Sequence, residues 1–303
     1  MSKITYDSVL VIGMGLIGSS IARALKEKQI SKKIFAIDKN ADVISTSKKL
    51  NLVDTIEDDL NKFKQHFDII FICTPLSSYK NIFNQLNNHI TKETLVTDVG
   101  STKVSVIEDF KQSIDNKKIL FVPAHPIAGL EKSGPEFGFA KLFENRYCIL
   151  TPIEKSDELV KSISNIWESF GMTIEIMEPT RHDRVLAMTS HIPQLIAYSV
   201  VGTATDLEDQ MKDQVIKYSA AGFRDFTRLA GSDPIMWRDV YDKNKEAVLE
   251  MLGRFSEDLL TFQKAIRNND LQYLEGKFTK SKEIRKLIED IGQAGRFDPT
   301  EKK

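Results

Sequence analysis

Cysteine is scarce in this sequence, and both cysteines lie in apolar stretches. Of 303 residues only two are cysteine, Cys73 and Cys148, and each falls in a strand-like run, IIFIC and YCIL. A buried structural thiol is the usual role of cysteine in such a run. Two cysteines provide neither a disulfide framework nor a metal-binding cluster, so we expect no metal and a reducing compartment.

An excess of charge of either sign is also absent. The formal net charge is -1 and the isoelectric point is about 6.6, so no overall field attracts nucleic acid or a membrane surface. We expect no apolar run long enough to span a bilayer, and a first strand within ten residues of the start leaves no room for a cleaved signal. These absences predict a cytoplasmic protein without nucleic-acid or membrane partners. A hydrophobic content of 41% suits a chain of about two domains.

The first forty residues contain a complete dinucleotide-binding pattern. A β-prone stretch, Ser8 to Ile12, leads into the glycine loop GMGLIG and then a helical pattern. In such a loop the first glycine allows the tight turn, the second admits a pyrophosphate, and the third lets helix and strand pack closely. A second strand ends in Asp38, where a carboxylate accepts from both ribose hydroxyls and repels a 2′-phosphate. The pattern favours NAD, although Lys39 leaves the strictness of NAD over NADP open.

The rest of this half alternates between strand and helix. We predict strands at Asp68 to Thr74, Leu95 to Asp98 and Ile119 to Pro123, and expect those at Tyr147 to Thr151 and Thr173 to Met177 to continue the same sheet. This alternation predicts a Rossmann-type domain over residues 1–178. The predicted cofactor-binding residues are Gly13, Met14, Gly15, Leu16, Ile17, Gly18, Asp38, Thr74 and Pro75.

From His182 onward the sequence contains no convincing strand. We predict four or five helices over residues 179–295, broken at Gly202, Gly222, 231–234 and 268–269, and a loose tail at 296–303. Asp233 and Pro234 open a long helix with a regular apolar seam. The seam contains Val248, Leu252, Phe255, Leu259, Phe262 and Ile266, and a second stripe contains Leu274, Phe278, Ile284, Leu287 and Ile291. The predicted class is α/β, a Rossmann-type domain followed by an all-α dimerisation domain, and we expect a homodimer.

His125 is the candidate base. It directly follows a predicted strand, is fixed by Pro126, and carries the side chain whose unperturbed pKa suits proton abstraction near neutrality. Ser101 follows another strand, where its hydroxyl could bond the base or a reacting oxygen, or cap a helix. Lys103 could be surface charge or a ligand for loop carbonyls. The sequence therefore places one base and one hydroxyl at the expected substrate edge of the sheet.

Two further polar groups lie in the helical half. His191 stands within an apolar helical run, where a hydrogen-bonded core histidine is the ordinary role. Arg224 and Arg228 lie four residues apart on one helix face, and one of them could simply pair with Asp225. A guanidinium is nevertheless the group that binds a substrate carboxylate in a bidentate geometry.

Several motifs in a fixed order carry a family resemblance that covers nearly the whole chain. They are GMGLIGSS, DVGSTK, HPIAGLEKSG, TSHIP, GFRDFTRLAGSDPIMWRD and NKEAVLEMLGRF. Together they resemble the prephenate/arogenate dehydrogenases of tyrosine biosynthesis, in particular the cyclohexadienyl dehydrogenase type. The resemblance implies NAD-dependent oxidative decarboxylation of prephenate, arogenate or both.

The resemblance also implies roles for individual residues. His125 would take the proton of the substrate's C4 hydroxyl, and Ser101 would orient that histidine and the substrate. Arg228 would bind a substrate carboxylate, and His191 would contact the other polar end. Glu131 and Trp237 match positions that line or gate the site.

Substrate choice and two rival functions stay open. Many relatives read SHLPH where this chain has Ser190 to Gln194, SHIPQ, so selection between a pyruvyl and an alanyl side chain is undecided. If tyrosine inhibits, we expect it to compete at the active site. The rivals are another two-domain hydroxyacid dehydrogenase, whose chemistry leans on a lysine in the helical domain, and a non-catalytic NAD-binding sensor. Substitution of His125 distinguishes a sensor from an enzyme. A sensor would keep its response to its partner, whereas an enzyme would lose turnover and still bind NAD.

Overall fold

The structure is a computed structural model that describes residues 6–153, 156–206, 213–215 and 217–290. The predicted loose tail and Ile291 of the second apolar stripe lie outside the described residues. By its contacts the chain divides into two compact units, residues 1–248 and 249–303. The boundary predicted near residue 178 marks the point along the chain where strands give way to helices. The division by contacts lies later, so the first unit also includes the first helices of the helical half.

Parallel strands form the main sheet of the first unit. They are β1 (Tyr6–Ile12), β2 (Ser31–Ile37), β3 (Thr55–Glu57), β4 (Ile69–Ile72), β5 (Thr94–Asp98) and β6 (Ile119–Val122). Their spatial order is β3-β2-β1-β4-β5-β6, and all the pairings are parallel. The order reverses direction between β1 and β4, and ligands of open parallel sheets bind at such a switch point. The predicted Rossmann-type domain is confirmed, and the short, polar β3 is an addition to the prediction.

Helices cover both faces of this sheet. They are α1 (Leu16–Lys28), α2 (Ala41–Lys49), α3 (Tyr79–His89) and α4 (Val104–Ser113). Alternate residues of β1 enter opposite cores, since Val9 and Val11 join one buried cluster and Leu10 and Ile12 join the other. A parallel strand buried on both faces reads as a continuous apolar run, which is why these strands could be found from the sequence.

The later strands form a second sheet, which corrects the expectation that they continue the first. β7 (Ala124–Pro126) pairs antiparallel with β8 (Tyr147–Leu150), and β8 pairs parallel with β9 (Thr173–Ile176). α5 (Asp157–Ser169) joins β8 to β9. Pro123 separates β6 from β7, and because proline has no N–H to donate to a ladder, the chain leaves the main sheet there. β7 therefore places His125 outside the main sheet.

The helical half agrees with the prediction in class but not in all its breaks. It contains α6 (Pro179–Leu186), a π turn (Ala187–His191), α7 (Ile192–Thr205), α8 (Ala221–Thr227), a 3₁₀ turn (Arg228–Gly231), α9 (Pro234–Lys243), α10 (Lys245–Arg267) and α11 (Leu271–Asp290). Gly202 lies inside α7, because a glycine costs a helix only about 1 kcal/mol. The break predicted at Gly222 falls at the start of α8, whose first residue is Ala221. The helix that Pro234 opens ends at Lys243 and restarts after Asn244, so the predicted long helix is two helices.

One helical run departs from the expectation that no segment could span a bilayer. Pro179–Thr205 is 27 residues long, with a mean hydropathy of 1.2 over its most apolar window, and passes that test by length and composition. The signal is weak, because core helices of soluble proteins pass the same test. The run also carries His182, Asp183 and His191, all of which are buried within a polar cluster of the protein.

The second unit exposes an unusually apolar surface. Leu259, Ile266, Phe278, Ile284 and Leu287, all members of the predicted stripes, are each at least half exposed. Phe262 and Phe278 stack with ring centroids 6.0 Å apart. A chain that leaves so many large apolar side chains in water usually covers them with a partner.

Candidate active site

The glycine loop has the backbone geometry that a dinucleotide site requires. Gly13 has a φ of 94°, and a Cβ there would lie 2.7 Å from the carbonyl oxygen of Cys73. A Cβ on Gly18 would overlap the carbonyl oxygen of Gly13, so α1 packs directly on the turn. A Cβ on Gly15 would meet no atom within 4 Å, and no side chain caps α1. The loop therefore presents open space in front of free N–H groups, where an anion is favoured.

Asp38 lies beside this loop at the end of β2. Its Oδ2 accepts from the backbone N–H of Met14 at 2.8 Å, and its Oδ1 accepts from that of Asn40 at 2.9 Å. A carboxylate has about four acceptor positions, so two remain for ribose hydroxyls. Thr74 and Pro75 follow β4, and a Cβ on Gly13 would lie 2.8 Å from Thr74 Cγ2, so both residues lie beside the same loop. The residues present fit a bound dinucleotide.

A buried ion pair fixes the residue before His125. Lys103 and Asp98 are both fully buried, with Lys103 Nζ 2.6 Å from Asp98 Oδ2. Asp98 Oδ1 accepts from the N–H of Ala124 at 3.0 Å, and Lys103 Nζ donates to the carbonyl of Ala124 at 2.7 Å. Burial lowers the pKa of Lys103, and the attraction of Asp98 opposes that shift. Lys103 is therefore not a surface charge: of the two roles left open by the sequence, it has that of a ligand for a main-chain carbonyl.

His125 is buried and is held by a second histidine. His125 Nδ1 lies 2.9 Å from His182 Nε2, and His182 Nδ1 lies 2.7 Å from Asp183 Oδ1. Burial lowers the pKa of His125 well below its ordinary value, and the positive charge of Lys103 lowers it further. Within the described residues, Nε2 of His125 makes no hydrogen bond. That nitrogen is therefore available to a ligand.

Ser101 makes no hydrogen bond with the candidate base in the part of the chain that the structure describes. Nδ1 of that base, His125, is engaged by His182, and its Nε2 is open. Ser101 is also not the helix cap, since α4 begins at Val104. The carboxylate of Asp183 accepts from the N–H groups of Lys103 at 2.7 Å and Val104 at 3.0 Å. A residue of α6 thus supplies the acceptor that the first turn of α4 needs.

His191 lies in the π turn, and its hydrogen bonds define its tautomer. Asn244 Nδ2 donates to the carbonyl of Asp183 at 2.9 Å and lies 3.1 Å from His191 Nδ1. Because a carbonyl can only accept, the Asn244 side-chain atom that contacts it must be the amide nitrogen, which is a donor. His191 Nδ1 therefore accepts from this nitrogen, and His191 Nε2 carries the proton. Burial lowers the pKa of His191 to about 4, so the ring is neutral at pH 7. Pro193 lacks the N–H that would continue the α-helix, and the wider turn forms just before it.

Two buried N–H groups near this turn have no hydrogen-bond partner among the residues that the structure describes. They are His191 Nε2 and Trp237 Nε1, and the two rings lie 5.9 Å apart between centroids. Leaving a buried donor without an acceptor costs roughly 1–3 kcal/mol, so such groups usually meet a ligand or water. The predicted site residues His191 and Trp237 are therefore neighbours, and both are donors that a carboxylate or carbonyl oxygen would satisfy.

Arg228 and Glu131 form an ion pair, which joins two predicted site residues. The 3₁₀ turn that carries Arg228 is tied to α7, because Gln194 Nε2 donates to the carbonyl of Leu229 at 2.7 Å. Gln194 is buried, so the residue that departs from the SHLPH pattern supports the turn next to Arg228. Arg224 pairs with Asp225 at the surface.

Four residues that hold the histidines and the Lys103 side chain were not predicted from the sequence: Asp98, His182, Asp183 and Asn244. Asp98 could have been found from its place at the end of a buried strand. The other three lie in polar stretches that have the appearance of exposed helix surface, and their burial depends on how the helices pack. Among the described residues no cluster suited to a metal is present.

Comparison with known proteins identifies the family. Residues 21–176 match the family described as prephenate dehydrogenase, nucleotide-binding domain, and residues 178–280 match prephenate dehydrogenase, dimerization domain. The chain belongs to the prephenate dehydrogenase family. It is 36% identical to the cyclohexadienyl dehydrogenase of Zymomonas mobilis over 92% of this chain and 95% of that protein.

Two solved structures of this family have the same fold. The prephenate dehydrogenase of Aquifex aeolicus in complex with hydroxyphenyl propionate and NAD+ matches with a TM-score of 0.86 and 32% identity, over 93% of this chain and 98% of that one. The arogenate dehydrogenase of Synechocystis matches with a TM-score of 0.76 and 26% identity, over 92% and 99%. The predictions of the family, of the α/β fold, of an oxidoreductase and of NAD as the cofactor of this family are confirmed.

Proposed function

We propose that this chain oxidises prephenate, arogenate or both with NAD, with loss of the ring carboxylate as CO₂, to give 4-hydroxyphenylpyruvate or tyrosine. The observation that carries the proposal is the free Nε2 of His125 in a buried polar site that also contains two donors without partners, on His191 and Trp237. A substrate with one hydroxyl and two carboxylates needs one base and several donors. Prephenate has these groups, and arogenate differs only in its side chain.

The mechanism follows from what each residue can do. When bound, NAD supplies the nicotinamide that accepts a hydride from C4. His125 Nε2 takes the proton of the C4 hydroxyl, and the N–H groups of His191 and Trp237 donate to substrate oxygens. Arg228 exchanges Glu131 for a substrate carboxylate. Ser101 lies in the segment between β5 and α4, where it can contact substrate. Loss of CO₂ makes the ring aromatic, so the protein mainly orients the substrate and removes one proton.

For the assembly, we propose an N-terminal NAD-binding domain at residues 1–178 and a helical domain at 179–295 that forms a homodimer. The exposed apolar side chains of α10 and α11 support a partner of the same kind. We further propose a cytoplasmic enzyme that needs neither nucleic acid nor membrane, because its net charge of -1 attracts neither.

The test of the function is NADH formation with each substrate. Purified protein is given prephenate or arogenate, each with NAD and with NADP, and kcat/KM is measured for the four combinations. We expect turnover with NAD and at least one of the substrates, since Asp38 repels the 2′-phosphate of NADP. Absence of turnover with both substrates, while NAD binds, would favour another hydroxyacid dehydrogenase or a sensor.

Because the space at Gly15 is proposed to hold the pyrophosphate, a side chain there should weaken cofactor binding without destabilising the fold. Gly15→Ala should leave the melting temperature nearly unchanged, because the new Cβ meets no protein atom. It should weaken NAD binding by about tenfold or more, roughly 1.4 kcal/mol, because the methyl group enters the space for the pyrophosphate. Calorimetric titration with NAD and thermal melting measure the two effects separately.

The matched control is Gly276→Ala. Its Cβ also meets no neighbour within 4 Å, and it lies in α11. We expect unchanged NAD affinity for this variant. If Gly15→Ala binds NAD as tightly as Gly276→Ala does, the loop does not hold the pyrophosphate.

A further inference from the structure

We infer that His182 and Asp183 form a positioning relay that holds the proton of His125 on Nδ1, so that Nε2 faces the substrate hydroxyl as an acceptor. The inference deepens the proposed function and rests on it, since it concerns the residue proposed as the base. His182 and Asp183 touch neither substrate nor cofactor in this assignment. They act through His125.

The Asp183 carboxylate is fixed in place by the start of a neighbouring helix. Its Oδ1 accepts from the N–H of Lys103 at 2.7 Å and its Oδ2 from the N–H of Val104 at 3.0 Å. These N–H groups belong to the first turn of α4, where the helix dipole favours negative charge. The Asp183 side chain is buried, and both of its carboxylate oxygens accept hydrogen bonds from these N–H groups. An ionised carboxylate can only accept hydrogen bonds.

The tautomers of both histidines follow from that acceptor. His182 Nδ1 lies 2.7 Å from Asp183 Oδ1, so Nδ1 must carry a proton. In a neutral imidazole the other nitrogen then accepts, and His182 Nε2 lies 2.9 Å from His125 Nδ1. His125 Nδ1 therefore donates, and the lone pair of His125 is on Nε2. A positively charged His182 would donate instead and would place the proton of His125 on the wrong nitrogen.

The surroundings favour the neutral form of His182. Burial lowers the pKa of His182, although its bond to Asp183 opposes that shift. The charged and titratable groups around the two rings are Lys103, Asp98, Asp183 and His191. Lys103 repels a second positive charge, and His191 is neutral at pH 7. The relay thus starts from two neutral rings and one carboxylate.

The same arrangement assists the proton transfer. As the substrate O–H bond breaks, its electron pair stays on oxygen and a new N–H bond forms at His125 Nε2. The resulting imidazolium keeps its Nδ1–H directed at His182 Nε2, whose own Nδ1–H is polarised by Asp183. A neutral acceptor backed by a carboxylate stabilises the positive charge without taking the proton, as an aspartate does for histidine in hydrolase triads.

Two substitutions of His182 separate positioning from packing. His182→Leu fills the space but cannot accept from His125 Nδ1, whereas His182→Gln offers an amide oxygen that can. We expect His182→Leu to lower kcat about 10²-fold with a small change in KM, and His182→Gln to recover most of that loss. NAD affinity and melting temperature control for folding in both variants.

Nitrogen NMR of the imidazole rings, without substrate or cofactor, gives a readout that is independent of turnover. The chain has five histidines, so each ring can be assigned by substitution. We expect His125 to be protonated on Nδ1 in the wild type and in His182→Gln, and to shift towards the Nε2–H form in His182→Leu.

Several outcomes would overturn the relay. They are an Nε2–H tautomer of His125 in the wild type, an unchanged tautomer in His182→Leu, or full kcat in that variant. If His182→Leu fails to fold, the wild-type tautomer and the Gln variant still decide. If neither substrate is turned over, the function fails while the tautomer measurement stands, so the two failures are distinguishable.

Discussion

Replacement of His125 by asparagine is expected to lower kcat for prephenate or arogenate by about 10²–10⁴-fold, with KM and NAD affinity nearly unchanged. Asparagine keeps a polar group of similar size but cannot take up a proton, and general base catalysis contributes about that factor. Nε2 of His125 makes no hydrogen bond within the described chain, so its loss frees no protein partner, and the asparagine amide N–H can replace Nδ1 as the donor to His182. Steady-state NADH formation and calorimetric titration with NAD measure the two quantities.

Arg228→Gln provides the comparison, because we expect it to raise KM and to leave kcat nearly unchanged. Arg228 is exposed and pairs with Glu131, so its loss should leave folding intact and weaken substrate binding, which appears in KM. A His125 variant that raised KM and kept kcat would make it a binding residue and would move the search for the base elsewhere.

The lowered pKa of His125 determines the pH at which the base works. Burial lowers this pKa below the ordinary value of 6.5, and only the neutral ring can accept a proton. In the wild type kcat/KM is therefore lost as the pH falls through the lowered pKa, and the acid limb should lie below pH 6.5. A substrate carboxylate in the site would raise the pKa again on binding, which strengthens the base when it is used.

The elements that could be predicted from the sequence are those with a periodic apolar pattern. β1, β4 and β5 are buried on both faces, and their continuous runs mark them clearly. The glycine loop could be assigned because each of its positions has a steric reason that holds in the structure. Pairing partners leave no such mark, so β8 and β9 could be found as strands but not assigned to the second sheet.

The parts of the site that escaped prediction are those that depend on long-range packing. His182 and Asp183 lie at the start of α6, some 57 and 58 residues after His125, and nothing in their neighbourhood marks them as buried. Asp183 caps a helix 79 residues earlier in the chain. A polar residue that serves a distant helix end resembles an ordinary surface residue until the packing is known.

Lys103 is the residue for which the structure adds most to the sequence. Two ordinary roles were open for it, and the structure shows a fully buried ammonium between a carboxylate and a carbonyl. The pair contacts both the N–H and the C=O of Ala124, the residue before His125. The position of the proposed base therefore depends on a charge pair in the core.

Lys103→Met is accordingly expected to destabilise the protein by roughly 3–5 kcal/mol, because it leaves the Asp98 carboxylate buried and without its positive partner. Methionine has about the same length, so packing is largely kept. Three donors remain on Asp98, from Gly100, Ala124 and Tyr79, and they lessen the penalty without neutralising the charge. Urea denaturation at a fixed protein concentration measures the free energy of unfolding.

Lys62→Met is the matched control, since Lys62 Nζ lies 2.7 Å from Asp58 Oδ1 but both groups are exposed. Similar geometry with free access of water should make its effect on stability small. Adding Asp98→Asn to Lys103→Met should recover part of the loss by removing the uncompensated charge, which a double-mutant cycle measures as a coupling energy. Equal losses for Lys103→Met and Lys62→Met would mean that burial contributes nothing to the pair.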